Sequence, residues 1–376
     1  MIRGFPPCEF EARVARAQSE MTKAGLAALL LTTEPEFRYF TGFLTRFWES
    51  PSRPWFLIVP ASGRPVAVVP SIGAALLGQS WIDDIRTWAA PDPQDDGVTL
   101  LADALREQGG PVGVPSGPES GLRMPLADFA RVQNLSGLEF RDDAGITARL
   151  RAIKSDAEIA KISAACDVAG RAFDRMDEIA GADVPLDRIF RAFQGLLLEE
   201  GADYVPYIAG GAGQGGYGCV ISPATSRPLA HGDVLMLDTG AVVDGYFCDF
   251  DRNFAITTVS DTTHAAHARL IEATQAGFDA ARPGARACDV FAAMAAITGG
   301  GEEAGRLGHG LGMQLTEGLS LSPRDETVIE AGMVLTLEPG VETGPGRLMV
   351  HEENIVIRKD GAAPLTRFAG SAIRVL

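Results

Sequence analysis

The sequence predicts two domains, an α/β unit over residues 1–150 followed by an α+β unit over residues 151–376. Three observations lead there. A chain of 376 residues exceeds the size at which one hydrophobic core usually stops growing. Its first 150 residues alternate helically spaced apolar positions with short apolar runs, the pattern of a helix-covered sheet. Near residue 150, Lys154-Ser155-Asp156-Ala157-Glu158 carries a helix-start signal in which Ser155 caps the helix and Glu158 reaches back.

In order, residues 10–24 have the apolar spacing of a helix, and the compact run 26–31 reads as a strand. Strands are expected at 55–59 and 65–69, a helix near 98–107 and another strand at 111–114. The second domain reads as a long amphipathic helix after Ser155, a helix around 186–200, several strands within 216–257, two more helices, and closing strands within 334–357. No short-period repeat interrupts this plan.

Composition removes several function classes. Hydrophobic residues make up 46% and charged residues 22%, as in an ordinary globular protein. A formal net charge of -16, with no Lys/Arg cluster, would repel a phosphate backbone and argues against nucleic acid as a partner. The five cysteines (Cys8, Cys166, Cys219, Cys248, Cys288) are scattered and form no close metal-type pair, which fits free thiols in a reducing compartment. No apolar run approaches the roughly 18 residues needed to span a bilayer, and the N-terminal segment lacks the apolar stretch of a secretory signal, so a soluble cytoplasmic protein is expected.

The chemistry sits in the second half. Asp233-Val234-Leu235-Met236-Leu237-Asp238 is an apolar strand ending in a carboxylate, and a second strand beginning near Gly245 carries Asp249; a hairpin would bring the two aspartates together. One aspartate at a strand end is usually a cap or an ion-pair partner. The case changes when three more residues join it. His309 lies in Gly308-His309-Gly310, where glycines would let a ligand approach the backbone. Glu338 ends Val334-Leu335-Thr336-Leu337, and Glu352 lies on an otherwise apolar strand. Buried carboxylates without partners lose their charge or destabilise the fold, and too few basic residues accompany these to neutralise them. Four carboxylates and one imidazole suit divalent cations, with manganese, cobalt, iron or zinc better matched than calcium because of the histidine.

The order Asp238, Asp249 in Gly245-Tyr246-Phe247-Cys248-Asp249-Phe250-Asp251-Arg252, Gly-His-Gly at 308–310, Glu338-Pro339-Gly340 and a terminal strand glutamate resembles the pita-bread metallopeptidase and creatinase superfamily. The likeness extends to Phe37-Arg38-Tyr39-Phe40-Thr41-Gly42-Phe43, similar to a Tyr-Leu-Thr-Gly-Phe signature, and to the junction Leu150-Arg151-Ala152-Ile153-Lys154-Ser155. The resemblance implies a creatinase-like N-terminal domain and a pita-bread catalytic domain. It also implies a pair of divalent ions, manganese first among them, held by Asp238, Asp249, His309, Glu338 and Glu352. Such a pair polarises a carbonyl and lowers the pKa of a shared water, and by the same analogy Glu338 handles the proton of that water.

Two departures stand out. Peptidases of this family usually carry a histidine before the first ligand aspartate, where this chain has Ile221-Ser222-Pro223, and His-Glu seven residues after the ligand histidine, where it has Thr316-Glu317. Ser222, Thr316 and Tyr207 are therefore candidate substrate contacts, with the glycine-rich stretch 210–218 lining the pocket or permitting tight turns. Trp48 and Arg46, in a loop over 46–54, are expected to reach the active site of a neighbouring subunit in a homodimer. Asp251 stands where family members usually have threonine, and reads either as an acid that supports the site or an added base, or as a salt-bridge partner of Arg252 or a solvent-facing charge. His351 should face away from Glu352's side of its strand, and His231, His264 and His267 are expected to be solvated.

The leading expectation is a hydrolase of the Xaa-Pro peptidase type acting on a dipeptide or a small amide-like molecule. The alternative is a non-peptide enzyme on the same scaffold, such as a dimethylsulfoniopropionate lyase or a creatinase-like amidinohydrolase. A non-catalytic binding protein is a third reading, against which the five ligands kept in register argue.

Overall fold

The structure, a computed structural model, describes residues 3–50, 54–300 and 305–376. Described residues up to Arg151 form one compact unit and Ala152–Leu376 the other. The first is built on a mixed six-stranded sheet ordered Asp84–Trp88, Val66–Pro70, Phe56–Pro60, Ala28–Leu31, Val112–Val114, Phe140–Asp142. Ala28–Leu31 is antiparallel to Phe56–Pro60, with Leu30 opposite Ile58, and parallel to Val112–Val114. Its four side chains are all buried, which explains an uninterrupted apolar run where a half-exposed strand would alternate. The opening helix, Pro7–Ala24, starts three residues before the expected position because proline is tolerated in a first turn, and Gly25 (φ 66°) ends it in the left-handed region.

In the second unit the capping signal at its start is realised. Ser155 Oγ accepts from the Glu158 amide at 3.3 Å, and Glu158 Oε2 accepts from the Ser155 amide at 3.0 Å, opening the helix Asp156–Asp174. Two four-stranded sheets follow. One is ordered Arg374–Val375, Phe250–Ala255, Asp233–Thr239, Ile208–Gln214; the other Gly308–Gly310, Val334–Leu337, Glu353–Arg358, Gly361–Pro364. Val290, Phe291 and Met294 of the helix Ala287–Thr298 pack with Leu335, Leu337, Ile355 and Ile357, so the second sheet is anchored by apolar burial on one side.

The glycine-rich stretch differs from expectation. A strand, Ile208–Gln214, runs through its first half antiparallel to Asp233–Thr239, so the sheet begins before residue 216. Glycine is a poor strand former, but here the neighbouring backbone demands it: a Cβ on Gly210 (φ 154°) would stand 2.2 Å from the Met236 carbonyl oxygen. Gly210→Ala should therefore distort this pairing and cost about 1–3 kcal/mol, read as a lower denaturation midpoint at unchanged m-value.

His231 and His264 are exposed as expected, but His267 is only 2% exposed, a correction whose reason is its place on the inward face of the helix Asp261–Ala280. Burial, then the neighbouring His351, push its pKa down to about 4, while a bond to the Gly370 carbonyl oxygen opposes the shift. A lowered histidine pKa means the unfolded chain takes up the proton first. The stability that neutral His267 supplies is thus complete above about pH 6.5 and is lost as pH falls toward 4, by up to roughly 3 kcal/mol. Denaturant unfolding of His267→Gln should show a shallower loss of stability across that window than the parent.

Candidate metal centre

Asp238 is the sixth residue of the strand Asp233–Thr239, whose residues 234–237 are buried leucine, valine and methionine side chains. Phe250–Ala255 pairs antiparallel with it, placing Asp251 opposite Asp238, and Asp249 immediately precedes that strand. A two-stranded ribbon, Val242–Val243 with Tyr246–Phe247, turns between them on Asp244 (φ 50°) and Gly245 (φ 81°), so the expected hairpin exists with an extra ribbon at its tip. From the other sheet come His309, opposite Thr336, then Glu338, directly after Leu337, and Glu352, directly before the strand Glu353–Arg358.

These elements converge. Asp238, Asp249 and Glu352 each offer an oxygen within 4.8 Å of the others. His309 Nε2 lies 3.1 Å from Asp249 Oδ2 and 3.7 Å from Glu338 Oε2. His309 Nδ1 is 3.0 Å from the Gly310 carbonyl oxygen, which fixes the proton on Nδ1 and turns the Nε2 lone pair toward the carboxylates. An imidazole lone pair facing a carboxylate at that distance is stable only with a proton or a cation between them. Desolvation, then the charge of Asp249, raises Asp238 well above the usual carboxylate range; desolvation, then Asp238, does the same to Glu352. Glu338 is raised by burial, with His309 opposing. Asp238 Oδ1 and Glu352 Oε2 are buried and accept no hydrogen bond among the described residues. Orphaned oxygens, mutual repulsion and an oriented imidazole are together what a divalent-cation site requires, so the donor set fits the group.

The remaining site expectations fare differently. Tyr207 is brought to the cluster itself, its hydroxyl 2.8 Å from Asp238 Oδ2 and 2.7 Å from Asp249 Oδ1. Thr316 is tied in through Arg306, whose Nη2 reaches Thr316 Oγ1 at 3.4 Å and whose Nε donates to Glu338 Oε1 at 3.2 Å. Ser222 is half-buried beside Cys219, and among the described residues no hydrogen bond ties it to the cluster. Trp48 is 8% exposed and packs in its own unit, its ring centroid 5.6 Å from that of Phe37 and 5.8 Å from that of Trp55. Its ring is thus engaged in a core rather than presented on a loop. Arg46 is exposed and pairs with Glu49 at 2.5 Å. Pro51, Ser52 and Arg53 of that loop lie outside the described residues.

The glycines beside His309 also serve another purpose than expected. A Cβ on Gly308 would meet the Thr336 carbonyl oxygen at 2.2 Å, and one on Gly310 the Glu317 carbonyl oxygen at 2.3 Å. They admit neighbouring backbone, not a ligand.

Asn354 and Arg306 carried no sequence signal, whereas Asp251 stood out in the sequence as an acid in place of threonine. Asn354 accepts from the Asp249 amide at 2.9 Å and donates to the Asp249 carbonyl oxygen at 2.5 Å, clamping that residue's backbone. Asp251 is fully buried and is neither solvent-facing nor paired with the Arg252 guanidinium: its Oδ1 accepts from the Glu352 amide at 2.9 Å and lies 3.2 Å from His351 Nδ1. Arg306 could have been sought as the cation three residues before the histidine.

Residues 160–359 match metallopeptidase family M24, and residues 13–153 match the creatinase/prolidase N-terminal domain. The chain belongs to the M24 family. It is 29% identical over 390 residues to the "Probable dipeptidase PepE" of Mycobacterium tuberculosis, covering 96% of this chain and 95% of that one. It is likewise 29% identical over 249 residues to the Xaa-Pro dipeptidase of Pyrococcus horikoshii, covering 61% of this chain and 66% of that one. The crystal structure of dipeptidase PepE from Mycobacterium ulcerans superposes with a TM-score of 0.85 at 25% identity, covering 99% of both chains. Membership of this metallopeptidase family makes the chain an enzyme of the metallohydrolase class and implies divalent metal ions. Among the described residues, no helix is long and apolar enough to cross a membrane.

The raised carboxylates set a sign. Neutral Asp238 and Glu352 are favoured in the folded state, so the stability they contribute without metal is present below the ordinary carboxylate pKa and is lost as pH rises through their raised values. At neutral pH, Asp238→Asn should therefore raise the melting temperature of chelator-treated protein by about 3 °C, roughly 1 kcal/mol, while abolishing the further rise that manganese gives the parent. Differential scanning fluorimetry with and without manganese reads both effects.

Proposed function

We infer that the protein is a metal-dependent hydrolase of the Xaa-Pro peptidase type that cleaves a dipeptide or small amide-like substrate. The observation that carries this reading is the Asp238, Asp249 and Glu352 cluster, with its two orphaned oxygens and with His309 and Glu338 alongside. These five side chains would hold two divalent ions, manganese by preference, with cobalt, iron or zinc also matched to the donor set. When bound, the ions supply Lewis-acid polarisation of the scissile carbonyl and a water that ionises near neutral pH.

The chain's own residues do the rest. Glu338, whose side chain is 18% exposed against 4% for Asp249, would take a proton from an incoming water and pass it to the leaving amine. Arg306 holds Glu338 Oε1, leaving Oε2 for that exchange. Tyr207 lies over Asp238 and Asp249, fixing their orientation. Relatives named as dipeptidases support this reading. We further propose a homodimer in the cytoplasm as the working form.

A second reading is a non-peptide enzyme on the same platform, a lyase in which a carboxylate removes a proton from carbon. Thr316 and Ser222 favour it, because they replace the histidines that would stabilise an oxyanion and shuttle protons in peptide cleavage. The chain has five histidines, and among the described residues His309 alone reaches the cluster's carboxylates; His351 meets Asp251 and Glu353 instead. Manganese-loaded protein should release proline from Xaa-Pro dipeptides, and Glu338→Gln should lower kcat by about 10²–10⁴-fold. Turnover of dimethylsulfoniopropionate with none of any Xaa-Pro dipeptide would establish the second reading instead.

A further inference from the structure

Unmet hydrogen-bonding capacity at the metal centre is unevenly spread. Among the described residues, the buried carboxylate oxygens without a partner are Asp238 Oδ1, Glu352 Oε2 and Asp251 Oδ2. Asp238, Asp249 and Glu352 form one group of oxygens within 4.8 Å, while His309 Nε2 lies 3.1 Å from Asp249 Oδ2 and 3.7 Å from Glu338 Oε2. Asp249 is common to both groups, so the centre has an Asp238–Glu352 half and a His309–Glu338 half. Two of the orphaned oxygens belong to the first half, and the third is on Asp251.

Asp251 is not one of the five donors, yet it is placed to serve that half. It lies opposite Asp238 in the pairing of Phe250–Ala255 with Asp233–Thr239, and directly opposed residues of an antiparallel pair share a face of the sheet. Its Oδ1 accepts from the Glu352 amide at 2.9 Å. Arg252 takes the other end of the same peptide unit, donating from Nη1 to the Glu352 carbonyl oxygen at 3.2 Å. Glu352 directly precedes the strand Glu353–Arg358, and these two side-chain contacts hold its backbone.

His351 keeps Asp251 in place. Its Nδ1 lies 3.2 Å from Asp251 Oδ1 and its Nε2 3.1 Å from Glu353 Oε1, and none of the three side chains is more than 1% exposed. Glu353 is held in turn by Arg252 and by the Thr366 hydroxyl, which donates to its Oε2. Groups anchored in this way behind a metal ligand fix its orientation and so its affinity for the ion.

We propose that Asp251, anchored by His351, is a positioning residue for Glu352 and decides whether the Asp238–Glu352 half of the centre holds its ion. The inference rests on the two-ion reading of the site. The other half has its own supports, since Arg306 donates to Glu338 Oε1 and His309 Nδ1 is fixed by the Gly310 carbonyl oxygen. Loss of Asp251 therefore empties one half and leaves the other filled, which a general loosening of the fold would not do.

Calorimetric titration of manganese into chelator-treated protein reads this selectivity. The parent should take up two ions per chain. Asp251→Ala should bind one ion within about threefold of the parent's affinity and the other at least about tenfold more weakly, the scale on which groups behind a ligand act. Its electron paramagnetic resonance spectrum should change from that of a coupled pair to that of an isolated ion. Asp251→Asn, which retains an oxygen for the Glu352 amide, should bring both affinities back to within about threefold of the parent. Because Asp251→Ala alone takes a partner from buried His351, the double variant Asp251→Leu/His351→Leu removes the pair together and should show the same selective loss, with its melting temperature confirming that it folds. A parent that binds fewer than two ions would remove the two-ion reading, and this proposal with it, before any variant is made. With two ions in the parent, the proposal alone is overturned if Asp251→Ala and the double variant keep both at parental affinity, if both ions weaken alike, or if Asp251→Asn restores neither.

Discussion

Repulsion among like charges is the constraint around which the second unit is arranged. Asp238, Asp249 and Glu352 present oxygens within 4.8 Å of one another in a region mostly shut off from water, and Glu338 adds a fourth carboxylate beside His309. Burial and the neighbouring carboxylates raise Asp238, Glu338 and Glu352 above the ordinary carboxylate range. A cluster of this kind persists when the surrounding backbone holds it against its own repulsion until cations neutralise it.

The holding groups form a second layer. Asn354 clamps the backbone of Asp249 on both its amide and its carbonyl, and Asp251 fixes the amide of Glu352. His351 lies between Asp251 and Glu353, 3.2 Å and 3.1 Å away, and the two carboxylates raise its pKa although burial opposes them. Arg252 then reaches Glu353 Oε2 at 3.0 Å and the Glu352 carbonyl oxygen. In this layer, unlike the cluster it supports, acids alternate with bases, so buried charge is compensated within the protein. The aspartate at position 251 and the histidine at 351 make sense only as a pair, since either alone would leave an uncompensated buried group.

Close backbone approach is the other condition the site depends on. Gly210, Gly308 and Gly310 each face a carbonyl oxygen at a distance no side chain could share, and these contacts seat the strands that carry Asp238 and His309. Glycines that read in the sequence as turns or as room for a ligand are in fact what lets the strands pack.

The sequence by itself determined the two-domain α/β and α+β plan, the capped helix at the boundary and the identity of the cluster, because apolar periodicity and carboxylates set in apolar runs are local signals. Tertiary structure alone decided that Trp48 is a core residue, that His267 is buried, that residues 208–214 form a strand, and that Asn354, Asp251 and Arg306 serve the centre. An asparagine 105 residues from the aspartate it clamps leaves no pattern along the chain. Its role arises from the meeting of two sheets, and burial and partnership across such distances are properties of packing, not of spacing.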